Sequence, residues 1–296
     1  MVTVTLGGGL GNQLFQYALA RQLALKNNTS LKLYINNIEK EPGRSYKLHH
    51  YNIQEKFASE AEVEKLIGTF YEQSFYSKAV KKINTYLPKQ NRSYFIEEAY
   101  YCYEPAVFKI KKNVLLEGFW QHYKYFENIP TQILDEITLK KKYKLTTSGY
   151  LDQIDEDINS VSIHIRRGDY ISDENNLNFF GVLPLGYYRQ AVNYMIERIR
   201  NVNFYIFSDD LNWAKNNLKM NAPVYFVDID NGTKDYLELE AMSRCRHNII
   251  ANSSFSWWAA YLNRNKEKIV VAPEKWVTDP VMNSSINLQL PSWIKI

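Results

Sequence analysis

Short runs of Val, Ile, Tyr and Phe recur along the second half of the chain, separated by amphipathic segments. Five such runs predict strands: SVSIHIR, NFYIFS, PVYFVD, HNIIAN and KIVVAP. Between the first two, PLGYYRQAVNYMIERIR predicts a helix with one apolar stripe, formed by Tyr188, Ala191, Val192, Met195 and Ile199. Strands alternating with helices indicate a parallel, doubly wound α/β sheet, which binds ligands at the carboxyl ends of its strands.

The first half of the chain is less regular. VTVTL and LKLYI predict strands on either side of a helix over about 12–27, and NVLLEGFW predicts a buried strand. Ser59 and Glu62 have the spacing of a capping box, which predicts a short helix that stops at Gly68. Pro130 predicts the first turn of another helix.

The change from the less regular first half to the regular second half predicts a domain boundary. It falls near YLDQIDEDINS and gives an N-terminal domain over 1–157 and a C-terminal domain over 158–296. Residues 70–112 are irregular, with some helical pattern. A chain of 296 residues suits two domains of ordinary size, and its 45% hydrophobic and 23% charged residues are typical of a folded core rather than disorder.

Net charge and cysteine content limit the partners and the cellular compartment that we expect. The formal net charge of +4 is a mild excess, so we expect no nucleic-acid partner. Cys102 and Cys245 match no metal or redox spacing, which fits a reducing compartment. No secretory signal and no apolar run of about 18 residues is visible. We therefore expect a cytoplasmic protein, with peripheral contact with the cytoplasmic membrane face as an alternative.

The opening GGGLGNQLFQYA invites a nucleotide interpretation, which its spacing contradicts. Counted from Gly7, the third position of a G-x-G-x-x-G fingerprint is Asn12, and counted from Gly9 it is Leu14. The second strand ends near Asn36 rather than at the acid that would hold a ribose. No lysine follows the glycines, which excludes a Walker P-loop. A dehydrogenase is therefore disfavoured.

The first strand of the regular half ends in HIRRGDY. Side chains alternate along a strand, so His164 and Arg166 face the same way, and Arg167 and Asp169 follow at the edge of the sheet. Adjacent guanidinium groups at a strand end suit a diphosphate. The plain alternative is an ion-paired surface arginine and a hydrogen-bonded histidine.

The fourth strand leads into ANSSFSWWAAYLN. Ser253 or Ser254 can cap the following helix, and hydroxyls together with unpaired N–H groups at a helix start bind anions. Opposite an arginine pair we favour a phosphate site over ordinary capping. Trp257 and Trp258 are predicted to pack in the core.

Two acidic pairs lie upstream of this loop. Asp235 and Glu238 share one helical face, where a carboxylate can accept two N–H groups from a guanine edge, or serve simply as an acid near a helix start. Asp228 and Asp230 have the D-x-D spacing of metal-dependent glycosyltransferases. We expect no metal requirement, because the arginine pair already supplies positive charge.

Four segments together resemble one family. GGGLGNQLFQYA, HIRRGDY, FSDD and NIIANSSFSWWAAYLN are similar, in order and from end to end, to the α-1,2-fucosyltransferases of glycosyltransferase family 11. The resemblance implies transfer of L-fucose from GDP-β-L-fucose to the 2-hydroxyl of a terminal galactoside, with inversion, in glycan or surface-polysaccharide synthesis. It implies a GT-B-like fold of two facing Rossmann-like α/β domains with parallel sheets, the donor held mainly by the second.

The resemblance also implies residue roles. Arg166 binds the pyrophosphate, Arg167 orders the motif, His164 lies near the nucleoside and Glu238 reads guanine. Ser254 and the adjoining backbone hold phosphate, while Asn12 with Gly11 reaches across from the first domain. The implied donor-binding set is Gly11, Asn12, His164, Arg166, Arg167, Glu238, Ser253, Ser254, Phe255 and Ser256. The implied catalytic set is Arg166, Asp169 and Asn12.

Several carboxylates are candidates for the catalytic base. Inversion requires a proton acceptor on the face opposite GDP. Asp169 is the first candidate, although it can equally be a structural partner of Arg167; Asp173 and Glu174 follow, and a dissociative transition state needs little base. Residues 36–157 are divergent, so a fucosyltransferase of another linkage or a protein O-fucosyltransferase remains an alternative. A non-catalytic sugar-nucleotide or carbohydrate-binding module is the alternative of another class.

Overall fold

The chain divides into two compact units, Met1–Thr138 and Leu139–Ile296. The computed structural model describes residues 1–36, 38–40, 43–67, 79, 82, 86–144, 149–229 and 234–296. Each unit has its own parallel β-sheet with helices packed on it. The expectation of an α/β protein with two parallel sheets is confirmed.

The first unit contains a four-stranded parallel sheet in the order β2-β1-β4-β3. Its strands are β1 (Val2–Thr5), β2 (Leu31–Tyr34), β3 (Tyr94–Ile96) and β4 (Val114–Glu117). Its helices are α1 (Leu10–Lys26), α2 (Glu60–Ile67) and α3 (Pro130–Glu136). Short 3₁₀ turns occur at Ile38–Lys40, Leu48–His50, Lys89–Asn91, Pro105–Lys109 and Tyr123–Tyr125.

Two glutamines of α1 brace the glycine loop that precedes it. The Gln16 side chain accepts a hydrogen bond from the Gly7 N–H at 3.1 Å and donates one to the Gly118 carbonyl at 2.9 Å. Gln13 donates to the Gly8 carbonyl at 3.0 Å. Both glutamines are buried, so their polar atoms must be satisfied inside the protein, and the loop backbone provides the partners.

The second unit contains a six-stranded parallel sheet in the order β10-β9-β8-β5-β6-β7. Its strands are β5 (Ser160–Ile165), β6 (Asn203–Ser208), β7 (Val224–Phe226), β8 (His247–Ile249), β9 (Val270–Ala272) and β10 (Ile294–Lys295). Its helices are α4 (Lys141–Lys144), α5 (Tyr150–Glu156), α6 (Gly168–Ser172), α7 (Glu174–Phe180), α8 (Leu185–Ile196), α9 (Leu211–Asn217), α10 (Asp235–Arg244), α11 (Ser254–Leu262) and α12 (Pro280–Ser285).

The chain order reverses between β5 and β8. From β5 the chain runs outward through β6 to β7, and it then returns to add β8 on the other side of β5. In open α/β sheets the loops at such a reversal separate and leave a crevice at the carboxyl ends of the strands. The loops after β5 and β8 therefore flank the expected ligand position.

The core of the second unit follows the predicted stripe. Tyr188, Ala191, Val192, Met195 and Ile199 are all buried and pack in one cluster with the apolar side chains of β5 and β6. Burial of an aliphatic side chain of this kind contributes about 1.5–3 kcal/mol. The prediction that Trp257 and Trp258 pack in the core is also confirmed, since both side chains are fully buried.

Most predicted elements are present, and two strands were missed. The five strands of the second half and the capping box at α2 are confirmed, with the Ser59 N–H donating to Glu62 Oε2 at 3.0 Å and the Glu62 N–H to Ser59 Oγ at 3.3 Å. The strand β3 lies inside a segment interpreted as irregular, and β10 was not predicted. Gly68, the predicted end of α2, and residues 70–78 lie outside the described residues.

The chain divides earlier than the predicted boundary after residue 157. Leu151 and Ile154 of α5 are buried, and Asp155 forms an ion pair with Arg244 at the end of α10. The helix α5 thus belongs to the second unit, and YLDQIDE is part of a folded helix rather than a linker. In the parts of the chain that the structure describes, none of the helices is both long and apolar enough to cross a bilayer.

Gly8 provides a test of the glycine loop. It adopts φ +70°, and an added Cβ would collide with the side chain of Asn12. We expect Gly8→Ala to destabilise the protein by about 1–3 kcal/mol, because a non-glycine residue in the left-handed region is strained. Thermal unfolding measured by circular dichroism checks this.

Gly9→Ala is the matched control in the same loop. Gly9 has φ −76°, and its nearest neighbour across an added Cβ is Arg44 Nη1 at an ordinary 3.5 Å. Equal unfolding temperatures for the two variants would contradict the strain assigned to Gly8.

Candidate functional site

Charged side chains are concentrated at the carboxyl edge of the second sheet. Arg166 follows β5, Asp209 follows β6, Asp228 lies just beyond β7, and Ser253 lies in the loop after β8. Because β8, β5 and β6 are neighbours and parallel, their carboxyl ends meet at one edge. This edge, at the β5/β8 reversal, is the candidate functional site.

Arg166 lies between two carboxylates at this edge. Its Nη2 is 2.7 Å from Asp169 Oδ1, and its Nη1 is 3.0 Å from Asp209 Oδ2. The guanidinium carbon lies 5.5 Å from the centre of the Tyr170 ring. The Tyr170 hydroxyl donates to the carbonyl of Asn252 at 3.0 Å, which joins the loop after β5 to the loop after β8. The side chain of Arg166 keeps 29% of its surface exposed, so a ligand can reach it.

Arg167 is held by different partners. Its Nε donates to Asp210 Oδ2 at 3.3 Å, and its guanidinium stacks 3.9 Å from the centre of the Trp213 ring. The idea that Asp169 partners Arg167 is therefore corrected: Asp169 pairs with Arg166, and Asp210 pairs with Arg167. The two consecutive arginines therefore reach different acids from the segment between β5 and α6.

His164 is a buried, uncharged group beside Arg166. Burial, reinforced by the positive charge of Arg166, lowers the pKa of His164 to about 3. Its ring lies 5.6 Å from that of Phe255, which links it to the start of α11. Within the described residues, its buried Nδ1 has no hydrogen-bond partner. A neutral imidazole in this position can donate or accept one hydrogen bond.

The serines of the loop after β8 have two roles: one caps the helix α11, and another supports the loop backbone. Ser253 is the N-cap of α11, and its hydroxyl accepts from the Phe255 N–H at 3.3 Å. The first N–H groups of α11 point out of the helix end, where an anion is favoured by the helix dipole. The Ser256 hydroxyl is fully buried and accepts from the Ala251 N–H at 3.2 Å. The donor-binding role predicted for Ser256 therefore has no accessible hydroxyl to support it.

Glu238 is the most strongly perturbed acid at this edge. Burial raises the pKa of Glu238 to about 7, with further increases from Asp235, Asp228 and Asp209 and an opposing effect from Arg166. These influences place its carboxylate among the acids of the same edge. An acid with this pKa exists in both protonation states near neutrality and is stabilised as a carboxylate by any donor that approaches it.

The other acids that the sequence suggested as a catalytic base or metal ligand lie in different environments. Asp173 is the N-cap of α7, and its carboxylate accepts from the Asn175 N–H at 2.8 Å, so that group has a structural task. Glu174 is exposed in the first turn of α7. Asp230, the second acid of the D-x-D alternative, lies outside the described residues. Across the described ranges, histidine, cysteine and carboxylate side chains form no group of three that could hold a metal ion.

Gly11 and Asn12 belong to the first unit. They lie in the first turn of α1, at the carboxyl end of β1. The side-chain oxygen of Asn12 accepts from Gln121 Nε2 at 2.8 Å, which fixes the orientation of the amide. The donor-side role implied for both residues stays a prediction.

Comparisons with known proteins identify the family and the fold. The sequence profile of Glycosyl transferase family 11 matches residues 1–296. The chain belongs to glycosyl transferase family 11. It is 31% identical to the O-antigen biosynthesis glycosyltransferase WbnK of Escherichia coli, over 98% of this chain and 99% of that protein. It is 32% identical to an alpha-1,2-colitosyltransferase of E. coli, over 96% and 95%. It is 27% identical to human galactoside alpha-(1,2)-fucosyltransferase 1, over 50% and 42%.

The fold is shared with a solved fucosyltransferase. The structure of the alpha-1,6-fucosyltransferase NodZ of Bradyrhizobium, co-crystallised with GDP, matches with a TM-score of 0.53 at 11% identity, over 87% of this chain and 91% of that one. The predicted GT-B-like fold class is thereby confirmed for this family 11 glycosyltransferase.

Asp209 and Asp210 were missed as site residues. The motif FSDD was recognised as part of the family resemblance, but no role was assigned to its acids. The available signal was local: two acids directly after a predicted strand lie at the carboxyl edge of a parallel sheet. What the sequence does not state is that β6 pairs with β5, which brings these acids to the arginines.

Glu238 makes a prediction about stability and pH. Its pKa is raised from 4.5 to about 7 in the folded protein, so as pH rises from 4.5 to 7 the unfolded chain loses a proton that the folded protein keeps. Stability contributed by this group is therefore lost over that range. We expect Glu238→Gln to match the natural protein at pH 4 and to exceed it by about 1–3 kcal/mol above pH 7.

Urea unfolding at several pH values measures this difference. Glu240→Gln on the same helix is the control for a glutamate-to-glutamine change. A stability difference for Glu238→Gln that stays constant from pH 4 to pH 8 would contradict the assigned burial.

Proposed function

We propose that this glycosyltransferase moves L-fucose from GDP-β-L-fucose to the 2-hydroxyl of a terminal galactoside, with inversion, in glycan or surface-polysaccharide synthesis. The observation that carries the proposal is Arg166, which is held by two carboxylates at the sheet reversal, the same edge at which α11 begins. The names of the relatives, an alpha-1,2-colitosyltransferase and a galactoside alpha-(1,2)-fucosyltransferase, support the linkage and the acceptor class.

The chemistry needs stabilisation of a leaving diphosphate. The bond between fucose C1 and the β-phosphate oxygen breaks, GDP leaves with the electron pair, and the acceptor oxygen forms a new bond to C1 while losing its proton. Negative charge grows on the diphosphate as positive charge grows on the sugar ring. Arg166 and the N–H groups at the start of α11 are preorganised donors for that charge, which is the dominant contribution in many enzymes.

Guanine recognition is assigned to Glu238. An ionised carboxylate can accept hydrogen bonds from N1–H and the exocyclic amine of guanine, a pair of donors that adenine and uracil lack. The raised pKa of Glu238 reflects burial without a compensating donor among the described residues, and guanine would supply two. His164, neutral and close to Phe255, is placed by the proposal near the nucleoside.

The proton acceptor stays a prediction among Asp169, Asp173 and Glu174. The ion pair of Asp169 with Arg166 supports a positioning role for that carboxylate. Asp173 caps α7, and Glu174 is exposed beside it. A largely dissociated sugar ring would need only late removal of the acceptor proton, so any of the three, or solvent, fits the reaction.

A second donor sugar is favoured by one observation. A relative that is 32% identical over 96% of this chain transfers a colitosyl group in the same α-1,2 linkage. The diphosphate and guanine contacts described above would serve GDP-colitose equally, because they involve no sugar hydroxyl. The sugar itself is therefore the part of the proposal that a donor comparison decides.

A donor and acceptor panel tests the function. We expect the purified chain to release GDP and form an α-1,2-fucosylated product from GDP-fucose and a β-galactoside, with UDP- and ADP-sugars inactive and activity retained in a chelator. Mass spectrometry and NMR of the product give the linkage.

Other outcomes of this panel separate the alternatives. Another linkage, or transfer to protein serine or threonine, would replace the acceptor assignment. GDP-fucose binding without turnover would indicate a binding module. Loss of activity in the chelator, restored by a divalent metal, would favour a role for Asp228 and Asp230.

Arg166 gives a sharper prediction. We expect Arg166→Ala to lower kcat by about 10²–10³-fold, the usual effect of removing one donor that stabilises a developing anion, while the unfolding temperature changes little. Arg166→Lys keeps the charge but not the planar fork, so we expect only partial recovery.

Arg198→Ala is the matched control, because Arg198 is an exposed helix-end arginine paired with Glu197. Full activity in Arg166→Ala would remove the diphosphate role from this residue.

A further inference from the structure

We infer that Asp209 is the positioning residue that aims Arg166 in the proposed transfer. The inference rests on the proposed function and adds a residue to it. Asp209 touches no reacting atom in this account; it acts through the guanidinium of Arg166.

The two oxygens of Asp209 perform two different tasks. Oδ2 lies 3.0 Å from Arg166 Nη1, and Oδ1 accepts the backbone N–H of Arg167 at 2.8 Å. One carboxylate therefore fixes both the head group of Arg166 and the backbone that follows it. Asp169, by contrast, lies only three residues after Arg166 in the same short segment, whereas Asp209 holds that segment from the neighbouring strand β6.

Gly168 leaves the space that this arrangement needs. A Cβ added at Gly168 would lie 3.0 Å from Asp209 Oδ2 and 3.1 Å from its Cγ. Such contacts are tighter than ordinary van der Waals packing, so a side chain at 168 would push the carboxylate away from Arg166. The glycine in the RRGD segment is thus explained by the close approach of an acid from the neighbouring strand.

The charges around Arg166 indicate that Asp209 orients the guanidinium and does not help to attract the anionic donor. Arg166 has two acidic neighbours, Asp169 and Asp209, so the pair reduces the local positive potential that an anionic donor meets. An arrangement selected only for tight GDP binding would omit the second acid. A fixed guanidinium, however, needs no reorganisation when charge develops on the leaving group, and that advantage affects turnover rather than binding.

Asp209→Asn separates orientation from backbone capping. Asparagine keeps an oxygen that can accept the Arg167 N–H, but it loses the charge that holds Arg166. If Asp209 serves only to accept the backbone N–H of Arg167, this variant should behave like the natural protein. Orientation predicts that kcat falls by about 10–100-fold while GDP affinity is unchanged or tighter.

Gly168→Ala supplies a second variant that leaves every charge in place. By displacing the Asp209 carboxylate it is expected to lower kcat by about tenfold as well. Asp155→Asn is the matched control, because it breaks an aspartate–arginine ion pair with Arg244 away from the sheet edge. Calorimetry with GDP, steady-state kinetics with GDP-fucose and thermal unfolding are measured for all four proteins.

The outcomes are distinct. Reduced kcat with retained GDP affinity and an unchanged unfolding temperature in Asp209→Asn supports the inference. Normal kcat in Asp209→Asn, or a loss of GDP affinity that accounts for the whole effect, overturns it while the proposed function stands. Absence of transfer by the natural protein from any GDP-sugar overturns the proposed function and this inference together.

Discussion

The ion pairs of Arg166 with two carboxylates are the central interaction of the candidate site, and these carboxylates would compete with the proposed diphosphate for the guanidinium. Arg166 lies in this balance between Asp169 and Asp209, and Arg167 is paired with Asp210. Three acids outnumber the two arginines, so the formal net charge of this cluster is negative. In the proposed function, affinity for the diphosphate would then come largely from uncharged donors, and the first turn of α11 is the candidate source.

The order of the strands decides which side chains can meet. β5 pairs with β6 on one side and with β8 on the other, although β8 is distant in the chain. This arrangement brings the acids of FSDD to the arginines of HIRRGDY and places the NSSFS loop at the same edge of the sheet. Each strand could be predicted from its β-branched and aromatic residues, because that signal is local. The pairing of β8 with β5 could not, since sequential neighbours and spatial neighbours differ at the reversal. Asp209 was missed for another reason: β6 is the next strand after β5, but no role was assigned to the acids that follow it.

The difference between local and long-range signals also explains the other correct and incorrect predictions. The capping box of Ser59 and Glu62 was readable because both partners lie within one turn. The strand β3 has only three residues and exposes Ile96, so it lacks the apolar run that predicts a buried strand. The structure divides the chain earlier than the sequence pattern does, because α5 has a long-range partner, Arg244, and an apolar face that only the folded chain reveals.

The glycine loop at the start of the chain has backbone polar groups that are bonded within its own unit. In a nucleotide fingerprint the loop N–H groups are left for the phosphate. Here the Gly7 N–H is bonded to Gln16, whose amide in turn holds Gly118, and the Gly8 carbonyl is bonded to Gln13. A phosphate at Gly7 would have to displace a buried glutamine and leave its oxygen without a partner. The glutamines of GNQLFQ therefore hold the loop backbone, while the turn itself requires glycine at position 8, where φ is +70°.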